Sequence, residues 1–503
     1  MASYLSIEFA VVFILFFLLY WLFRRSVAIQ NGLLLVASYW IIGLFSVDFA
    51  LILGGYTTVI YLLSTGIIYG RSPKFWLISA IVVGVGNLAL FKYFNFFAPQ
   101  FVYRLSEWGI DLSLPVAEII FPIGISFYTF HSISYLVSLY ERAVDQRERP
   151  LEPQSWRGMA PISFFDFALF LAFFPSVIAG PINRANRFLP QIQRTTAREI
   201  VGYHRAFALI LLAIIKVYWL SSYFSQAWVK PAFDTPQSMH TVDLLLGVYA
   251  YAAELYLNFS GYTNLVTGIA ILLGFQLPRN FRAPYLATNL KQFWNRWHIS
   301  LSRWIQDYIY IPLGGSRKGV TRTQINVLIA MVLSGLWHGE TFNFLIWGLI
   351  HGVGVVFLNL KDRYRQKRLA AAGLSRAEIR AHFRENGRVT YGTYFNRFLT
   401  FNYVCLGWIF FRSVTFEDSL SYLQSLFANF TLEAFPYHSL GVLLAILAVT
   451  LFLYPILVKV PAQFVRLSRR IPWFLLPILY ILILWGAIYL APSGIPQFIY
   501  ASF

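Results

Sequence analysis

Apolar runs long enough to cross a bilayer recur from Leu5 to Tyr489 with no long polar linker between them. In hydrocarbon every backbone N–H and C=O must be satisfied within the segment, and a spanning helix needs about 20 mostly apolar residues. The 503 residues are 58% hydrophobic and only 12% charged, whereas about a quarter of an ordinary soluble domain is charged. This leaves room for roughly a dozen crossings and excludes a soluble globular fold. The expectation is an all-α, polytopic membrane protein with one membrane domain over residues 1–503.

Lysine and arginine total 40 against 22 Asp and Glu, a net charge of +18. The excess sits in short loops between apolar runs, the cytoplasmic-loop bias of inner-membrane proteins, so it points to anionic lipid or ligand and not to nucleic acid. Leu5 to Phe23 has no basic residue before it and Arg24-Arg25 after it, and it reads as a retained helix, not a signal peptide, with the N-terminus outside. The polar stretch 361–388 carries Lys361, Arg363, Arg365, Lys367, Arg368, Arg376, Arg380, Arg384 and Arg388, and should be a cytoplasmic loop. Spans at Tyr394 to Phe411, Leu440 to Val460 and Trp473 to Leu490 then leave the C-terminus outside. Ile162 to Gly180 breaks this scheme. Arg142, Arg147, Arg149 and Arg157 precede it, Arg184, Arg187, Arg194 and Arg198 follow it, and Pro175, Gly180 and Pro181 interrupt its end. It is expected to be a broken or re-entrant segment. Cys405 lies inside an apolar run and reads as a small buried hydrophobe.

The chemistry concentrates between Gln276 and Gly352. Wound as one helix, Lys291 to Ile311 places Arg296, Arg303 and Asp307 within about 40° of each other, with Phe293, Trp294, Trp297, Leu301, Trp304, Ile305 and Tyr308 opposite. Such an amphipathic helix can lie at the interface, with His298 on its aromatic side. A lone histidine there is more often a hydrogen-bonded core residue than a reactive one. The basic turn Pro312 to Gly319 comes next, able to meet phosphates or simply to anchor the chain at the surface. His338 lies in the apolar stretch Leu333 to Gly352, where an ionisable group is costly and is by default a functional candidate. Gly335 and Gly339 beside it would allow close approach of a ligand or helix. His351 is 13 positions further on, about 20 Å along a continuous helix and on another face. With no HExxH and no paired cysteines, no metal is expected.

The stretches FPIGISFYTFHSISYLVSLY (Phe121 to Tyr140), FFPSVIAGPINR (Phe173 to Arg184), LNFSGYTNLVTGIAILLGF (Leu257 to Phe275), FWNRWHISLSRWIQDYIYIPLGGSRKG (Phe293 to Gly319), SGLWHG (Ser334 to Gly339) and QFIYASF (Gln497 to Phe503) together resemble the membrane-bound O-acyltransferases, specifically the bacterial branch of alginate O-acetylation and teichoic-acid D-alanylation proteins. The resemblance implies a ring of tilted and broken helices around a central tunnel, with a catalytic core at about 257–352. It puts the catalytic histidine on His338 and the second recurrent histidine on His298, with Asn295, Trp297, Trp337 and Gly339 lining or supporting the tunnel. YIYIPLGGSR looks like the acetylation branch, whereas ETFN at Glu340 to Asn343 departs from the alginate proteins.

The resemblance further implies transfer of an acyl group, acetyl first, from cytoplasmic acetyl-CoA to an extracytoplasmic polysaccharide, through a periplasmic partner protein. Acetyl-CoA is then a donor substrate and no cofactor is bound. Independently of the family, a charged thioester donor cannot cross hydrocarbon while its acyl carbonyl needs only a narrow passage. Arg296, Arg303, Arg317 and Lys318 are the candidates for its phosphates. Three alternatives stay open: D-alanyl transfer from a carrier protein to teichoic acid, a transporter or flippase using membrane-buried His338 and Glu340 as a proton relay, and a scaffold for a secretion complex. The acceptor stays open among alginate, cellulose, peptidoglycan and other glycans.

Overall fold

A computed structural model describes residues 4–108, 120–148, 162–178, 180–382, 390–433, 435–472 and 474–492. These residues form helices joined by turns, with no strand among the described residues. Among the described residues, seven helices are long and apolar enough to cross a membrane: Val27–Phe45, Val47–Tyr69, Pro73–Asn95, Tyr203–Asp234, Val320–His338, Phe342–Ala371 and Tyr437–Ser468. Large apolar side chains face outward along them, Val36 at 69% and Leu51 at 68% exposure, as a hydrocarbon solvent requires. The chain is an all-α, multi-pass membrane protein.

Packing divides it into two compact units, one built from Met1–Ile214 with Gly261–Pro278 and the other from Ile215–Ser260 with Arg279–Pro492. The first contains α1 (Ile7–Leu22), α2 (Val27–Phe45), α3 (Val47–Tyr69), α4 (Pro73–Glu107), α5 (Ile125–Glu148), α6 (Phe164–Ala172), α7 (Phe174–Val177), α8 (Ala185–Ile192) and α9 (Tyr203–Ile214). Serine hydroxyls at Ser6, Ser26 and Ser46 cap the first three by accepting N–H groups of their first turns, and Pro73 opens the fourth. The expected break in Ile162 to Gly180 falls at Phe173, between α6 and α7. Its freed backbone groups find partners inside the protein: the Phe174 N–H donates to Ser38 Oγ at 3.1 Å and the Tyr4 hydroxyl donates to the Phe174 carbonyl at 2.6 Å. Arg198, expected in a charged surface loop, is instead only 2% exposed. It donates to Asn31 at 2.6 Å and lies over the Phe275 ring at 4.6 Å. Arg149 and Arg157 lie outside the described residues.

The second unit contains α10 (Ser222–Phe224), α11 (Lys230–Asp234), the first part of α12 (Thr241–Leu272), α13 (Leu290–Trp294), α14 (Ile299–Ile305), α15 (Val320–His338), α16 (Phe342–Ala371), α17 (Arg376–His382), α18 (Tyr391–Arg412), α19 (Phe416–Ala428), α20 (Tyr437–Ala448), α21 (Tyr454–Leu457), α22 (Val460–Ser468) and α23 (Leu476–Tyr489). Its frame is the hairpin of α15 and α16. A Cβ on Gly335 would stand 2.1 Å from the Phe344 carbonyl oxygen, and one on Gly348 2.6 Å from that of Met331, so only glycine lets these backbones approach so closely. The polar stretch expected as a loop from Lys361 is helical to Ala371, because α16 runs on past its apolar part. At the start of α17, Ser375 just before the helix and Glu378 in its first turn cap each other, and the Ser375 hydroxyl holds the Glu378 carboxyl below its ordinary value. Arg384, Arg388, Trp473 and the stretch Gln497 to Phe503 lie outside the described residues. Cys405 is buried in α18.

The single helix expected over Lys291 to Ile311 does not form. The chain leaves α13 at Trp294, turns through Asn295 to His298, and resumes as α14 followed by a wider-wound stretch, Gln306–Tyr310. Arg296 therefore does not share a helical face with Arg303 and Asp307. The cause is tertiary: the Arg282 N–H donates to the Arg296 carbonyl at 2.9 Å, and Asn280 captures the groups just after the turn.

Candidate active site

Asn280 is fully buried. Its carbonyl accepts the Ile299 N–H at 2.9 Å, and its side-chain Oδ1 accepts the Ser300 N–H at 3.3 Å and the Ser300 hydroxyl at 2.5 Å. This holds His298 at φ 39°, a left-handed conformation that is uncommon outside glycine. Strain of this kind persists only where surrounding contacts over-determine it, and it clusters at functional sites. The result is an imidazole only 1% exposed, aimed among rings, with the Phe259 centroid at 4.7 Å and the Trp337 centroid at 5.9 Å.

His338 is the last residue of α15 and is 4% exposed. Around it stand Trp337 at 4.7 Å, Trp347 at 5.0 Å, Phe411 at 5.0 Å and Phe344 at 6.5 Å. Gly339 ends the helix in an extended conformation, and a Cβ there would collide with the Phe344 ring at 2.0 Å. Asn343 fixes the start of α16 by donating to the carbonyls of Ser413 at 2.9 Å and Thr415 at 2.8 Å. The imidazole is thus held between α15, α16 and the end of α18. Trp337 borders both histidines, so the two residues singled out in the sequence flank one indole.

The remaining expected site residues are not gathered at one place. Trp297, 2% exposed, is packed against Phe293, Trp408 and Phe281. Asn295 is exposed and Arg296 half-buried in the turn between α13 and α14. Arg303 is exposed on α14, while Arg317 and Lys318 are exposed in the basic turn. That turn is well formed: Gly314, Gly315 and Gly319 take positive φ, and Asn326 donates to the Gly315 carbonyl at 3.0 Å. Lys291 reaches Asp362 at 2.8 Å, tying α13 to the basic part of α16.

Two sequence inferences need correction. Glu340, read as a buried relay partner of His338, is exposed because the helix ends at His338 and Gly339 turns the chain away. The same break removes the premise that His338 and His351 lie far apart on one helix. The chain reverses at 339–341, and both imidazoles touch Trp347, at 5.0 and 4.9 Å. Asn280 and Trp347 were not anticipated. Asn280 lies outside any periodic segment, whereas Trp347 and His351 could have been found as an i, i+4 pair on α16.

Residues 119–371 match the membrane-bound O-acyltransferase family, half of the chain and the part that contains both histidines. The chain is 36% identical over 330 residues to the probable alginate O-acetylase of Pseudomonas aeruginosa, covering 64% of this chain and 60% of that protein. It is 32% identical over 368 residues to the peptidoglycan O-acetyltransferase of Helicobacter pylori, covering 70% and 64%. With the teichoic acid D-alanyltransferase of Bacillus subtilis it shares 28% identity over 268 residues, 50% of this chain and 62% of that one. The matches thus span about three-fifths of the length of these relatives. A helical membrane architecture and a family match running through the broken segment of the first unit, the strained turn and the α15–α16 hairpin agree, and the chain belongs to the membrane-bound O-acyltransferase family.

Proposed function

We propose that the chain transfers an acyl group, acetyl first among the possibilities, from a cytoplasmic thioester such as acetyl-CoA to a hydroxyl on the outer side of the membrane. The final acceptor on this reading is an extracytoplasmic polysaccharide, served through a periplasmic partner protein. The observation that carries the reading is the burial of His338 in an aromatic cage at the end of α15, with His298 across Trp337. Rings exclude water, and a neutral imidazole there can take the proton of an acceptor hydroxyl as its oxygen attacks the thioester carbonyl carbon. The C–S bond then breaks, the acyl group stays on the acceptor oxygen, and the departing thiolate takes up a proton to leave as the free thiol. Relatives that acetylate alginate and peptidoglycan by name support acetyl as the group. Exposed Arg303, Arg317 and Lys318, with Arg296, supply cations for donor phosphates at the membrane surface. The direction of transfer takes the basic stretch from Lys361 as cytoplasmic.

The test is transfer of labelled acetyl from acetyl-CoA to a soluble hydroxyl acceptor by the purified protein. Turnover that disappears in a folded His338→Ala variant supports the reading. Full turnover in that variant removes the base, and movement of an intact lipid-linked molecule without any acyl transfer would favour a transporter.

A further inference from the structure

The mechanism above leaves a group of buried nitrogens unused. His351 is fully buried and Trp347 is 1% exposed. Neither ring nitrogen of His351, nor the indole Nε1 of Trp347 or of Trp294, has a hydrogen-bond partner among the described residues. The three rings touch one another: Trp294 and Trp347 centroids are 5.6 Å apart, Trp294 and His351 5.1 Å, Trp347 and His351 4.9 Å. Buried polar atoms are almost always hydrogen-bonded, and here four orphans share one place. Their chemistry restricts what satisfies them. An indole N–H only donates, and a neutral imidazole offers one donor and one acceptor, so the set is three donors to one acceptor. It fits an oxygen with lone pairs to share, attached to a small apolar body that the ring walls can cover.

Trp347 and His351 stand one turn apart on α16, and Trp294 reaches them from α13. Gly407 of α18 makes the room: a Cβ there would lie 2.9 Å from His351 Nε2 and 3.3 Å from Cδ1 of Trp347. The Trp347 ring also borders His338. We infer that Trp294, Trp347 and His351 form a hydrogen-bonding seat for the carbonyl oxygen of the acyl donor, next to the histidine that activates the acceptor. The inference rests on the acyl-transfer reading and assigns the donors that hold the carbonyl and stabilise the charge that builds on its oxygen as the acceptor attacks. Donors placed where charge develops act on kcat more than on KM.

The experiment uses the full-length protein in nanodiscs with acetyl-CoA labelled with ¹³C at the carbonyl. In wild type the labelled carbonyl band, isolated by isotope-difference infrared spectroscopy, should shift to lower frequency on binding. The shift should shrink in Trp347→Phe and in a variant carrying the benzothienyl isostere of tryptophan at position 347, which keeps the shape and lacks only the N–H. Loss of one donor should lower kcat by about 10²-fold with little change in KM, and His351→Gln, which restores a donor, should retain more activity than His351→Leu. An unshifted carbonyl band in wild type, or the same band and turnover within threefold in the isostere, overturns the seat and leaves these nitrogens to bound water. The infrared arm needs binding and not turnover. A wild type that binds the thioester with a shifted band but transfers nothing would sink the transfer reading and keep the seat.

Discussion

At the scale of single residues, the two histidines differ in what their removal tests. His338 closes a regular helix, so truncation leaves a cavity among rings but no backbone conflict. His338→Ala should keep its elution profile in detergent and lose about 10²–10⁴-fold of acyl transfer, the usual worth of a positioned acid–base group. His298 carries a second quantity, its left-handed backbone. Alanine at that position must still take φ 39°, at a cost of about 1–2 kcal/mol, whereas glycine takes it freely. His298→Gly should therefore melt higher than His298→Ala in detergent, while both lose transfer if the ring acts. A His298→Gly enzyme with full turnover would reduce His298 to a hinge that shapes the turn.

At the scale of elements, the α15–α16 hairpin decides where His338 stands, and its glycines are the part most sensitive to change. Gly335 would place a Cβ 2.1 Å from a backbone oxygen, which cannot swing aside as a side chain can. Gly335→Ala should cost about 1–3 kcal/mol, the range for overpacking, whereas Gly86→Ala in α4, with nothing within 4 Å of its Cβ, should be neutral or slightly stabilising. Thermal unfolding of both variants in one detergent compares them. The basic turn makes a kinetic prediction: neutralising Arg303, Arg317 and Lys318 together should raise the KM for acetyl-CoA far more than it lowers kcat, as loss of uniform binding does. A short acetyl thioester without phosphates should show no such change. Equal losses with both donors would assign these residues to lipid contact or folding.

These elements also show what local pattern can and cannot reveal. The break at Phe173 was legible because proline and glycine punctuate it in sequence. That His298 faces rings was legible too, since it holds whether the segment is straight or bent. The bend itself was not, because it is made by hydrogen bonds that Asn280 accepts and Arg282 donates, and both lie upstream and outside the helical period. The proximity of His351 to His338 was missed for a related reason. The dip in hydropathy at Gly339 to Asn343 marks the reversal, but a helical wheel drawn through it assigns the two histidines to different faces.

At the scale of the whole molecule, the proposed reaction requires that donor and acceptor be met on opposite sides of the membrane, and parity of the later spans makes this checkable. The basic helix end around Lys361 to Arg368 should be cytoplasmic because Lys and Arg near span ends set orientation. Taking α18 as a crossing, as the apolar run Tyr394 to Phe411 leads one to expect, the segment between α18 and α20 carries Glu417, Asp418 and Glu433 against Arg412 and should lie outside. Ala372 and Glu433 are both exposed. Ala372 is a better reporter than Ser375, whose hydroxyl caps α17. With Cys405 replaced, which is tolerable for a buried thiol without a structural bond, single cysteines at Ala372→Cys and Glu433→Cys can be treated with an impermeant maleimide in intact spheroplasts. Glu433→Cys should label from outside, and Ala372→Cys only after lysis. Both sites labelling from one side would mean that α18 does not cross. The basic stretch and the outer segment would then share a compartment, and a cytoplasmic thioester could not feed an external acceptor by the route proposed, whatever His338 does.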